Sequence, residues 1–143
     1  MSSAFADQTG DTTQDRVLQV INNFYTLLDG ESPQAAQEWS DMFDQDGEFV
    51  TPVSTLTGRK AIRAQREEFW TQFPGLKHQP IRVYTSPFSP LDVVVINTYK
   101  FDKGEEHVLA YTAAEFKLVE SGDNKYVIQR LEIFMDPTVL GWK

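Results

Sequence analysis

LDVVVINTYKF, residues Leu91–Phe101, is rich in β-branched and aromatic side chains and has neither Gly nor Pro between Asp92 and Phe101. It reads as the interior of a β-strand. Val93, Val95, Asn97, Tyr99 and Phe101 fall on one face, and Asp92, Val94, Ile96, Thr98 and Lys100 on the other. Both faces begin apolar, as expected of a central strand covered on both sides near its N-terminal end. Asn97 and Tyr99 form a polar pair on the otherwise apolar face. Such a pair is either hydrogen-bonded core or the wall of a pocket.

Outward from this strand, the C-terminal half of the chain repeats the pattern. Strands are expected over Leu76–Thr85, Glu106–Val119 and Lys125–Met135, joined by turns at Ser86–Pro90, Asp102–Glu105 and Glu120–Asn124. The N-terminal half reads differently. Thr12 or Thr13 can cap a helix, with Thr12-x-x-Asp15 as a capping box. Val17, Val20, Ile21, Phe24, Leu27 and Leu28 recur at helical spacing until Asp29-Gly30. Ser32-Pro33 opens a second helix, with Ala35, Ala36, Trp39, Met42 and Phe43 on its apolar side, ending before Asp46-Gly47. A short strand, Glu48–Val53, and a loop, Ser54–Gly58, precede a third helix running to about Gln72, with Ile62, Phe69 and Phe73 on its buried side. Residues 1–11 read as a flexible tail, 12–143 as one domain, and Asp136–Lys143 as a terminal tail. Helices first and hairpin-linked strands afterwards give an α+β fold: a curved antiparallel sheet packed on three N-terminal helices, with a concave space between the layers for a small molecule.

The bulk composition excludes several functions. The chain has 143 residues, enough for one domain with a core. Its net charge of −8 argues against nucleic acid and against an anionic membrane surface. It contains no Cys and two His, so thiol chemistry and disulfides are excluded, and His78 and His107 are in no metal-ligand spacing. No apolar run is long enough for a membrane span, and a cytoplasmic protein is the default expectation.

FYTLLDGE, WSDMFDQDGEFVTP, TGRKAIRAQREEFW, FPGLKHQPIRVY and YVIQRLEIFMD, in this order and spacing over about residues 15–136, resemble the nuclear transport factor 2-like superfamily. The likeness is strongest to its SnoaL-like and scytalone-dehydratase-like branches. The resemblance implies a cone-shaped α+β barrel whose internal pocket takes a hydrophobic, polyketide- or terpenoid-like metabolite. It implies no metal or organic cofactor, a homodimer through the outer sheet face, and acid–base chemistry: cyclisation, dehydration or isomerisation. The catalytic sets of known relatives transfer poorly. The general-base Asp of ketosteroid isomerases falls at Thr51, and their oxyanion-hole Asp at Ala114. Their helix-1 Tyr falls near Asn23, with Tyr25 two residues away on another face. The Tyr-Asp pair that closes helix 1 in scytalone dehydratases matches Leu28-Asp29, so the acid alone remains.

Extending the face assignment to these relatives turns Val95, Asn97, Tyr99, Phe101, Ala110, Thr112, Ala114, Phe116, Val127, Gln129, Leu131 and Ile133 inward. Tyr111, Glu115, Lys117, Arg130, Glu132 and Phe134 turn outward. Ala110, Thr112 and Ala114 either make room for a ligand or accommodate helix packing. The expected substrate-binding set is Tyr25, Thr51, Asn97, Tyr99, Thr112 and Gln129. Its polar groups could polarise a carbonyl, or simply satisfy one another. His78 and Asp29 are the candidates for moving a proton. Strand parity puts His78 with Pro80, Arg82 and Tyr84 on the outward side unless a bulge at Pro80 reverses it. Asp136 reads as a solvated or capping acid and His107 as exposed. The run Arg59, Lys60, Arg63, Arg66 reads as the solvated face of the third helix. The alternative is a non-enzymatic binding or protein-interaction module, as nuclear transport factor 2 itself is. A sealed cone would favour it, and a cavity reaching Asn97 and Tyr99 would favour an enzyme.

Overall fold

The computed structural model describes residues 12–122 and 125–141; the tail expected over residues 1–11 lies outside them. Three helices come first as expected: α1 (Thr13–Leu28), α2 (Pro33–Asp41) and α3 (Arg59–Gln72). Thr12 caps α1, its hydroxyl accepting from the Asp15 amide at 3.0 Å. Ser32 caps α2 in the same way through Ala35, with Pro33 at the first helical position. The buried stripe of α1 comprises Val17, Ile21, Phe24, Tyr25 and Leu28. Tyr25 lies on this stripe because positions 21, 24, 25 and 28 follow the three-and-four rule that defines one helix face.

The sheet has six strands in the order β2-β1-β6-β5-β4-β3: β1 (Phe43–Thr51), β2 (Ser54–Thr57), β3 (Lys77–Ser86), β4 (Ser89–Lys103), β5 (Glu106–Glu120) and β6 (Tyr126–Phe134). It is open, with β2 and β3 at its edges, and mixed, since β1 runs parallel to β6 while every other pair is antiparallel. LDVVVINTYKF lies in β4, with Val93–Lys100 paired to β3 and Asp92–Phe101 paired to β5.

The first strand is longer than the sequence suggests. Met42 and Phe43 leave the second helix because the Ile128 amide bonds the Met42 carbonyl at 2.9 Å and Phe43 pairs with Ile128. A bulge then intervenes before Glu48 pairs with Arg130. Gly47 sits in this bulge, where a Cβ would come within 3.0 Å of the Asp44 and Ile128 carbonyl oxygens. Ser54–Thr57, expected as loop, returns as a short edge strand. The Thr51 hydroxyl holds the turn by accepting from the Val53 and Ser54 amides.

The core lies between the helices and the concave sheet face. Trp39, Phe43, Phe116, Phe24, Ile62, Ile128 and Leu131 are almost fully buried there. Phe24 meets Phe116 edge-to-face at 4.9 Å, and Trp39 meets Phe43 at 5.2 Å. No described helix is long and apolar enough to cross a membrane.

Candidate active site

A cavity of about 60 Å³ opens between α1, α3 and the concave face. It has room for a few waters or a compact ligand in this conformation. Its walls are mostly apolar, with Phe24, Leu28, Phe69, Leu131 and Ile133 among them. A surface depression of about 170 Å³ between the β1–β2 hairpin and α3 shares Thr51, Gln65 and Phe69 with it.

Five of the six residues expected to contact substrate line the cavity: Tyr25, Thr51, Asn97, Tyr99 and Thr112. Gln129 does not. It is exposed, because the ladder shifts between Lys117–Arg130 and Leu118–Ile128, leaving Gln129 as the extra residue of a bulge. Ile128, almost fully buried, takes the inward position instead. Of the small residues on β5, Thr112 faces the cavity, whereas Ala114 packs into the core.

His78 also lines the cavity. Simple parity would turn it outward, but β3 is bulged between Pro80, opposite Asn97, and Arg82, opposite Ile96. Ile81 is the extra residue. The bulge puts His78 and Pro80 on the inward face while Arg82 and Tyr84 keep the outward one. His78 lies opposite Tyr99 in the ladder and its ring sits between those of Tyr25 and Tyr99, at 6.1 and 6.2 Å.

Asp29, the C-cap of α1, fixes His78 twice. Its Oδ2 accepts from the His78 backbone amide at 2.8 Å, and its Oδ1 lies 2.7 Å from Nδ1. Burial pushes the His78 pKa below the usual imidazole value; hydrogen bonding to Asp29 and its charge pull it back up, and the Arg66 charge opposes them. Burial prevails, so the ring is neutral near pH 7. A carboxylate can only accept, so Nδ1 carries the proton and Nε2 is left as a free base.

The Asn97 patch is divided between structure and site. Asn97 Oδ1 accepts from Tyr25 OH at 3.1 Å and Thr112 Oγ1 at 3.4 Å, and Nδ2 donates to the Thr98 carbonyl at 3.3 Å. That network largely satisfies itself. The Tyr99 hydroxyl is buried with no partner among the described residues, and burial, with a contribution from Asp136, raises its pKa. It remains a phenol, ready to donate into the cavity. Tyr25 is likewise held well above the usual phenol range by burial and by Asp29.

Three further placements differ from or extend the sequence reading. Arg66, assigned to a solvated face, is buried, because it shares the stripe of Ile62, Phe69 and Trp70 on α3. Residues Pro137–Leu140, assigned to a tail, form a short 3₁₀ helix that brings Leu140 to the cavity wall. Met135, just before it, also lines the cavity. Val139 and Leu140, two adjacent apolar residues beyond the last strand, were the available signal. Asp136 caps that turn through the Thr138 amide and hydroxyl, and His107 is exposed, paired with Asp102 at 2.6 Å. Among the described residues no three His, Cys, Asp or Glu side chains gather as a metal would require.

No family model matches the sequence, and no curated protein matches it. Solved structures do match. A provisional scytalone dehydratase from Novosphingobium aromaticivorans superposes with a TM-score of 0.65 at 20% identity, over 82% of this chain and 80% of that one. A Catenulispora acidiphila protein with a ketosteroid isomerase-like fold gives 0.69 at 14% identity, over 85% and 88%. Nuclear transport factor 2 from Cryptosporidium parvum gives 0.69 at 17% identity, over 85% and 92%. The chain therefore has the α+β fold of the nuclear transport factor 2-like proteins, the scytalone-dehydratase-like ones among them.

Proposed function

We propose that this protein is a cytoplasmic, cofactor-independent acid–base catalyst acting on a hydrophobic carbonyl compound, of the dehydratase, isomerase or cyclase type. The observation that carries the reading is the Asp29–His78 pair, bonded at 2.7 Å, beside a cavity whose wall holds the unpartnered Tyr99 hydroxyl. His78 Nε2 takes a proton from the carbon next to the substrate carbonyl. The electron pair moves onto the carbonyl oxygen, where the Tyr99 hydroxyl donates a hydrogen bond to the developing enolate. Asp29 holds the tautomer and stabilises the imidazolium that forms. The proton on Nε2 then leaves with a β-hydroxyl as water, or returns to another carbon, giving dehydration or isomerisation. The apolar walls exclude water from the enolate.

The test follows the first step alone and needs no knowledge of the natural substrate. Small ketones are incubated in deuterium oxide and exchange of their α-hydrogens is followed by NMR. The wild-type protein is expected to exceed His78→Ala by about 10²-fold or more. Equal rates for the two proteins across the ketone panel would remove the catalytic reading.

We further propose that the protein works as a homodimer. Tyr84, Leu109, Tyr111 and Phe134 lie on the outer sheet face and are each more than half exposed. An apolar surface of that kind is commonly an interaction site.

A further inference from the structure

Three polar atoms in the cavity-lining residues are buried without a hydrogen-bond partner among the described residues: Arg66 Nε, Gln65 Oε1 and Tyr99 OH. Tyr99 has a place in the proposed reaction, and the arginine does not. Arg66 is 5% exposed, and no described carboxylate lies within 4 Å of it. Its guanidinium carbon stands 4.8 Å from the ring centroids of both Trp39 and Phe69. Stacking on aromatic faces offsets part of the cost of burying the charge, but it engages the face of the guanidinium and leaves the in-plane N–H edge unused. An unpaired buried cation is costly to hold, and a fold that needed only packing at this position would be served better by Leu or Met. Burial lowers the Arg66 pKa to about 9, with Asp29 acting against that shift, so the group is still a cation at neutral pH. Among the described residues it is the one buried charged side chain, and it stands on the wall of an apolar cavity in an acidic protein.

We infer that Arg66 is an anion-binding subsite and that the ligand is a compact monocarboxylate: its carboxylate meets the guanidinium edge and its apolar body fills the cavity. One guanidinium matches one negative charge, and its fork suits the two oxygens of a carboxylate. The apolar walls select an organic body over a bare inorganic anion. The inference rests on the catalytic reading of the same cavity, and it names the substrate class as small acids carrying the reacting carbonyl away from the carboxylate. Such a ligand replaces an unsatisfied buried charge with a bidentate pair, so its affinity should come chiefly from Arg66.

The experiment compares acids with their neutral isosteres. Binding of acetate and propionate, compact enough for the cavity, each against its amide, is measured by titration calorimetry on the full chain as wild type, Arg66→Met, Arg66→Lys and His78→Asn. Either acid is expected to bind the wild type at least tenfold more tightly than its amide. The preference should vanish in Arg66→Met, persist in reduced form in Arg66→Lys, and survive in His78→Asn. In the wild type, NMR should show the buried arginine Nε–H resonance moving with acid and not with amide, a readout that does not depend on a variant folding. Equal affinity for acid and amide, an unmoved Nε–H resonance, or inorganic phosphate competing as well as the organic acids would overturn the inference. Proton exchange on neutral ketones reports separately. If exchange depends on His78 while acids fail to bind preferentially, Arg66 alone loses its role. If acids bind through Arg66 while exchange is absent, the cavity is a binding site without the chemistry.

Discussion

At the scale of single residues the pairing of Asp29 with His78 makes definite demands. A general base must be neutral, and burial holds His78 below its ordinary value near 6.5. The rate is therefore expected to be flat around pH 7 and to fall on the acid side, with the midpoint below 6.5. Removing the carboxylate in Asp29→Asn takes away the partner that raises the His78 pKa. It should shift the acid limb to lower pH while lowering the plateau, a pair of effects read from one pH–rate profile. Stability follows the same sign. The unfolded imidazole binds its proton near pH 6.5 and the folded one only at lower pH, so stability declines as pH falls below that value. Urea midpoints at pH 7.5 and 5 should show this decline, and His78→Asn should reduce it. Tyr99→Phe removes the wall hydroxyl that is buried with no partner among the described residues. It should slow enolate formation by about 10²-fold, as loss of a single oxyanion donor does, whereas Thr112→Val should act mainly on stability, since Thr112 is bonded to Asn97. Comparing turnover with thermal midpoints separates the two.

At the scale of elements, bulges decide what faces inward, and they also mark the limit of what could be read in advance. The alternation of Val93, Val95, Asn97, Tyr99 and Phe101 was legible because β4 keeps register with β5 throughout. The three helices were legible because their caps and stripes are local chemistry. Gln129 was not, because it lies at a register shift that nothing in its own strand announces; for His78, Pro80 in its own strand raised the bulge that turns it inward, but did not decide it. Arg66 was misread for a different reason. Its charge suggested solvent, although its spacing from Ile62 and Phe69 already put it on the buried stripe. The contact between Asp29 and His78 joins positions 49 apart, and nothing local announces it. The β3 bulge can be tested directly. Deleting Ile81, which is 45% exposed, removes the extra residue at little cost in packing. It joins Pro80, opposite Asn97, directly to Arg82, opposite Ile96, in an unbroken ladder, so His78 should stay opposite Tyr99 and beside Asp29, and the exchange activity should persist; loss of activity in a variant that still melts cooperatively would count against this register.

At the scale of the whole molecule, the concave face is committed to the core and cavity, and the convex face is left to other contacts. Sedimentation at micromolar concentration is expected to give twice the 16.3 kDa of one chain. The double change Tyr111→Asp and Phe134→Asp should give a monomer with its cavity chemistry intact, since neither residue lines the cavity. A wild type that sediments as a single chain would rule out the dimer.

The parallel pairing of β1 with β6 has a kinetic consequence. Phe49 lies against Leu131, about 80 residues further along the chain, so this part of the sheet closes only once β6 has been made. On the ribosome, α1 and α2 emerge with their apolar stripes long before the strand that completes their packing surface. Folding should therefore wait until β6 has been made, and then proceed in the millisecond-to-second range typical of high contact order. During that interval the aromatic side chains that later wall the cavity are open to solvent and to chaperones.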